Sequence, residues 1–139
     1  MRISAAARHV GTLVLVLATI ACGGTPTEPD PIYELKTKTF TGTIGPKGSA
    51  AFHFEVVNPG LIGISITAMS PAVTLPMGLD LGFWEPTTET CVAELSTPEA
   101  ILNVVYNGNP PAPGEYCVGI FDIEALQGPT EFTLRVTHY

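Results

Sequence analysis

The chain has 139 residues, 6 basic against 13 acidic, for a net charge of −7, and only 14% of its residues are charged. That length suits one domain rather than two, and 14 Gly with 13 Pro give a turn-rich composition unlike a helical bundle or a coiled coil. The acidic balance argues against a nucleic-acid partner, because no basic patch is present to neutralise phosphates.

Residues 1–21 read as an export signal. Arg2 and Arg8 supply its positive start, and an uncharged, mostly apolar run follows, with Leu13, Val14, Leu15, Val16, Leu17 and Ile20. A helix of that run spans about 18 Å, too short for a hydrocarbon core of about 30 Å. A single-pass anchor is therefore not expected, and the segment is set aside from the fold.

The run ends in Ala18, Thr19, Ile20, Ala21 and Cys22. This series resembles the lipobox of bacterial lipoproteins, in which a small residue precedes a cysteine; Thr19 stands where that family prefers Leu. The resemblance implies that Cys22 becomes the first mature residue and carries a diacylglycerol on its thiol. Ordinary cleavage after Ala21 would instead leave Cys22 as a free thiol. Cysteine parity favours lipidation, since Cys22, Cys91 and Cys117 make an odd set in an oxidising compartment. With Cys22 acylated, Cys91 and Cys117 remain as one possible pair, whose bridge would close a loop worth about 3 kcal/mol. Two unpaired thiols would suit a reducing cytosol, in conflict with the export signal.

Residues 22–32 form a Pro/Gly-rich linker that has nothing to bury. Fully extended, its nine residues 23–31 hold the domain up to about 28 Å from the lipid. Without the signal the chain keeps 4 basic and 13 acidic residues, a net −9. Anionic headgroups repel such a domain, so membrane attachment rests on the acyl chains.

Residues 33–139 read as a chain of short strands separated by Gly, Pro, Asn and Ser. Phe40, Gly42 and Ile44 alternate with threonines, and Gly45-Pro46-Lys47-Gly48 is a turn. Phe52, Phe54 and Val56 form the next core stripe, with His53 on the solvent side. Ile62, Ile64, Ile66 and Ala68 continue the period of two, as do Met77, Leu79, Leu81 and Phe83 after a Pro-containing loop. Residues 91–95 are a weaker strand, residues 101–106 another, and residues 107–114 a turn-rich stretch. Tyr116, Val118 and Ile120, then Phe132, Leu134 and Val136, complete the pattern. No helical period persists outside the signal. The expected fold is all-β: an antiparallel, jelly-roll-like β-sandwich of seven or eight strands.

Taken in order, Phe40-Thr41-Gly42-Thr43-Ile44, Phe52-His53-Phe54-Glu55-Val56, Gly78-Leu79-Asp80-Leu81, Gly114-Glu115-Tyr116-Cys117-Val118-Gly119-Ile120 and Phe132-Thr133-Leu134-Arg135-Val136 resemble the bacterial pre-peptidase C-terminal domain. That family places a Gly-x-Tyr-x-Val-type strand before a closing Phe-Thr-Leu-type strand. The resemblance implies a non-catalytic accessory β-sandwich of exported proteins, here without an attached peptidase.

Catalytic groups are sparse. His9 lies in the signal, His53 is expected on a solvent face, and His138 is expected to fray near the chain end. Neither His53 nor His138 follows a metal-ligand spacing, so no metal or cofactor is expected. Ser49, Ser65, Ser70 and Ser96 lack a nucleophile-elbow pattern. Asp122 with Glu124 on one strand face, and Asp80 with Glu85 around Phe83-Trp84, read as solvated surface acids rather than a glycosidase or calcium pair. Trp84 should point away from the face that holds Phe83. Exposed beside Tyr106 or Tyr116, it would offer a sugar-stacking platform; buried, it would cap the core. The residues available to a ligand are thus Trp84, Asp80 and Glu85. The expected function is a cell-envelope lipoprotein with a binding or structural module that meets an envelope protein or glycan, the alternative being a carbohydrate-binding module centred on Trp84.

Overall fold

A computed structural model describes residues 32–139; the expected export signal, Cys22 and the expected linker up to residue 31 lie outside the described residues. Eight strands follow the period-two stripes: β1 (Lys36–Ile44), β2 (Ser49–Val56), β3 (Ile62–Ser70), β4 (Met77–Glu85), β5 (Thr90–Ala100), β6 (Tyr106–Gly108), β7 (Gly114–Phe121) and β8 (Thr130–His138). They form two four-stranded antiparallel sheets, ordered β1-β8-β3-β6 and β2-β7-β4-β5. Strand β1 pairs with β8, β2 with β7, β3 with β6 and β4 with β5. The chain is thus one long hairpin, with its tip between β4 and β5, rolled up into two layers. That is the jelly-roll arrangement.

Alternation fills the space between the layers. Ile62, Ile64, Ile66, Leu134 and Val136 from the first sheet meet Phe54, Leu79, Leu81, Val118 and Ile120 from the second, and all are buried. The outward positions of β1 and β8 carry Thr39, Thr41, Thr43, Thr133 and Arg135, a polar face suited to water. The β1–β2 side of the sandwich is sealed by rings. Phe40 stacks on Phe52 at 5.0 Å between centroids, and Phe52 meets Phe132 edge-on at 5.9 Å. Gly42 makes room for this cluster, since a Cβ there would lie 2.8 Å from the Phe132 ring.

The structure departs from the sequence reading at several places. Strand β5 runs 11 residues to Ala100 rather than stopping near Leu95. Pairing with β4 supplies what the weak strand formers Glu94, Ser96 and Glu99 lack, and Pro98 is tolerated because β5 is an edge strand. Residues 101–105 are a loop rather than a strand, turned by Asn103 at φ 64° and held to β3 by the Asn103 amide donating to the Ile66 carbonyl at 2.7 Å. The stretch taken for a turn at Asn107 and Gly108 belongs to β6.

His138 does not fray. It is the register partner of Lys36, is buried at 1% exposure, and packs 5.6 Å from the Phe54 ring. Its Nδ1 donates to the Tyr139 carbonyl at 3.2 Å, while Nε2 is buried without a partner.

Asp122 is buried just past β7 and does not share a strand face with Glu124. One carboxylate oxygen accepts the amides of Ala125 and Leu126 at 2.8 and 3.0 Å, and the other accepts that of Lys47 at 2.8 Å. The Asp122 amide in turn donates to the Gly48 carbonyl at 2.9 Å. Burial pushes this carboxyl up, but the amides of Lys47, Leu126, Ala125 and Glu124 together outweigh it and hold the carboxyl below its ordinary value. Asp122 therefore clasps the β1–β2 turn to the β7–β8 loop. Glu124 is exposed and reaches Lys47 Nζ at 3.4 Å.

Candidate partner-binding edge

The two lateral sides of the sandwich differ. Where β1 and β2 are sealed by phenylalanines, the opposite side pairs the long β5 with a β6 of only 3 residues. So short a strand leaves the space between the sheets uncovered. Two depressions of about 170 and 190 Å³ lie there and share Leu81 and Leu95. Phe83, Pro110, Pro111 and Tyr116 wall the first, and Ile64, Leu79 and Tyr106 wall the second.

Leu95 stands between the two hollows and is 50% exposed, with Val92 at 53% and Phe83 at 37% beside it. Phe83, expected in the core phase, is half outside because the sandwich ends there; its ring rests on Tyr116 at 5.0 Å. Strand β5 has β4 as its one neighbour, so its outer row of N–H and C=O groups is unpaired in the sheet. The following loop adds Ile101, Leu102, Val104 and Val105, all more than a third exposed. Tyr106 steadies that loop, its hydroxyl donating to the Glu99 carbonyl and accepting the Ile101 amide, each at 3.0 Å. A free strand edge flanked by exposed apolar side chains is a surface built for contact.

The disulfide sits behind this edge. Cys91 on β5 is bonded to Cys117 on β7, with Cα atoms 5.6 Å apart. Strand β4 runs between them in the sheet, and Gly82 is the β4 residue opposite Cys117. A Cβ at Gly82 would overlap the Val92 carbonyl, so glycine at this register shift lets β5 lean over β4 towards β7. The bridge pins the start of the edge strand to the middle of the sheet.

The possible ligand residues do not form one group. Trp84 and Asp80 share the outer face of the second sheet, but four residues of strand, about 13 Å, separate them. Trp84 is half-buried, and one side of its indole lies 5.4 Å from the His53 ring. His53 is exposed, as expected, and contacts Glu115. Asp80 faces Gly119 and Ser96 beside a shallow hollow bounded by Glu89, Thr90 and Cys91.

Glu85 ends β4 and accepts the Thr87 amide at 3.0 Å. That amide, then the Thr87 hydroxyl, hold its carboxyl below the usual value, with burial opposing weakly. Glu85 is thus a turn former. Neither tyrosine flanks Trp84: Tyr116 is buried against Phe54, its hydroxyl donating to the Ala112 carbonyl at 2.6 Å, and Tyr106 belongs to the open edge. Among the described residues no three His, Cys, Asp or Glu side chains gather into a metal-binding group.

No protein-family model and no curated protein matches this chain. Among solved structures, PliG of Aeromonas hydrophila, a periplasmic lysozyme inhibitor of g-type lysozyme, is similar over 72% of this chain and 83% of that one, with 13% identity and a TM-score of 0.49.

Proposed function

We propose that this chain is a lipid-anchored protein of the bacterial cell envelope whose sandwich binds another envelope protein without making or breaking bonds. The anchor is the diacylglycerol on Cys22, and the body is a pre-peptidase-like accessory domain held off the membrane by the linker. The observation that carries the binding reading is the open side of the sandwich. There an 11-residue edge strand with an unpaired backbone row borders two apolar hollows that meet at Leu95. Exposed apolar side chains gathered along a free strand edge mark an interaction site.

The test places a photoreactive residue at Ala93, on the edge, or at Thr41, on the polar face of the first sheet, in the full chain expressed in cells. A discrete protein adduct at position 93 and none at 41 is expected, and Leu95→Asp should remove the adduct while circular dichroism and the melting curve stay those of a folded sheet. Equal adducts at the two positions, or none at 93, would refute the reading. Trp84→Ala should leave the adduct intact; its loss would move the site to the outer face of the second sheet.

A further inference from the structure

We infer that the segment received by this edge is an extended, basic strand of the partner, with apolar side chains set against Leu95 and lysines or arginines against the carboxylates of β5. The inference rests on the binding reading above and specifies its occupant.

The charge map supports it first. No Lys or Arg stands between Lys47 and Arg135, so β2 through β7 contain neither. The bases of the described residues, Lys36, Lys38, Lys47 and Arg135, all lie on β1, on the β1–β2 turn or on β8. In the sheet order β1-β8-β3-β6 those strands are remote from the β5–β6 side. Around the open edge stand Glu89 in the hairpin turn and Glu94 and Glu99 on β5, all exposed. The ion pairs among the described residues are Lys47 with Glu124 and His53 with Glu115, so no cation neutralises these three. Glu94 also lines the hollow that holds Phe83 and Leu95, which puts an unneutralised carboxylate on the rim of an apolar groove. Complementary charge steers a partner to such a groove and fixes its register.

The backbone supports it second. A free outer row of amides and carbonyls accepts an added strand, with main-chain hydrogen bonds for affinity and alternate side chains for specificity. Before Pro98 interrupts it, the edge offers Thr90 to Thr97, long enough for an ordinary strand, with one register shift that sets Glu94 out as the extra residue.

A second copy of this chain is a poor occupant. Antiparallel pairing of two β5 strands centred on Glu94 sets Glu94 against Glu94 and Glu89 against Glu99, and like charges directly across a sheet repel. Pro98 further removes a donor from one end of the ladder. The edge is thus protected against itself and open to a strand of opposite sign.

The experiment uses the purified full-length chain and two synthetic strands, one alternating Val with Lys and one alternating Val with Glu, titrated by calorimetry. The Lys strand should bind and the Glu strand should not. Raising the salt from about 0.05 M to about 0.15 M should weaken the Lys strand about tenfold. Glu94→Lys with Glu99→Lys should exchange the preferences, and Leu95→Ser should weaken the Lys strand without changing its salt response. A Lys peptide broken by prolines should fail, because it cannot extend the ladder. Equal binding of Lys and Glu strands, indifference to the double charge reversal, or full binding by the proline-broken peptide would each overturn the inference. The photoadduct at Ala93 separates this failure from that of the broader reading. An adduct there with no Lys preference leaves the edge as the binding site and removes the basic strand, whereas no adduct removes both.

Discussion

Replacing Asp122 by Ala removes the shared acceptor of three amides, from Lys47, Ala125 and Leu126. A hydrogen bond to a charged group is worth about 1.5–3 kcal/mol when one partner is deleted. The Lys47 and Ala125 bonds are only partly buried, so water recovers some of their loss, whereas the Leu126 bond is buried. The expected cost is therefore about 3 kcal/mol rather than the full sum. Asp122→Asn is a finer probe. Its carbonyl oxygen can keep the Ala125 and Leu126 amides, but its amide group turns a donor towards the Lys47 N–H, so about 1–2 kcal/mol should be lost.

Acidification has a definite sign. The folded carboxyl is held below its ordinary value of 3.8, so its contribution is complete above that value and disappears as the pH falls through the folded one. Urea unfolding of the wild-type chain and both variants should show the largest gap near neutrality, with Asn between Ala and wild type, and a gap that closes as the pH falls below 3.8. A gap under about 0.5 kcal/mol at neutrality, or one that stays constant on acidification, would refute the clasp.

Two further outcomes are expected. Cys91→Ser with Cys117→Ser, or reduction of the bridge, should cost about 3 kcal/mol. Amide exchange should then quicken first in β5, which the bridge holds at its start; an unchanged melting temperature would count against a stabilising role. Cys22→Ser should abolish incorporation of labelled palmitate in cells, and persistence of label would exclude acylation of that cysteine.

Most of the sandwich was legible because its core stripes obey the period of two: Phe52, Phe54 and Val56, or Phe132, Leu134 and Val136, fall inside as alternation demands. What escaped depends on neighbours distant in the chain. Nothing local in residues 90–100 outweighs Glu94 and Pro98, and β5 exists because β4 templates it. His138 reads as a chain end until β1 and the Phe54 ring close over it. Asp122 reads as a surface acid because its partner amide at Lys47 is 75 residues away. The open edge was the least visible feature, since a stripe such as Leu79, Leu81 and Phe83 does not announce where the sandwich stops. Two signals were nevertheless present. Pro98 inside a strand marks an edge, and the absence of Lys and Arg between Lys47 and Arg135 foretells a one-sided surface.

The register of β1 against β8 has a practical consequence. Lys36 and His138 are partners, so whatever precedes the one and follows the other departs from a single corner of the body. The first sheet places that corner three strand spacings, about 14 Å, from its far margin. A fluorescent tag or an affinity handle joined after Tyr139 would therefore leave the body beside Lys36 and keep the β5–β6 flank unencumbered.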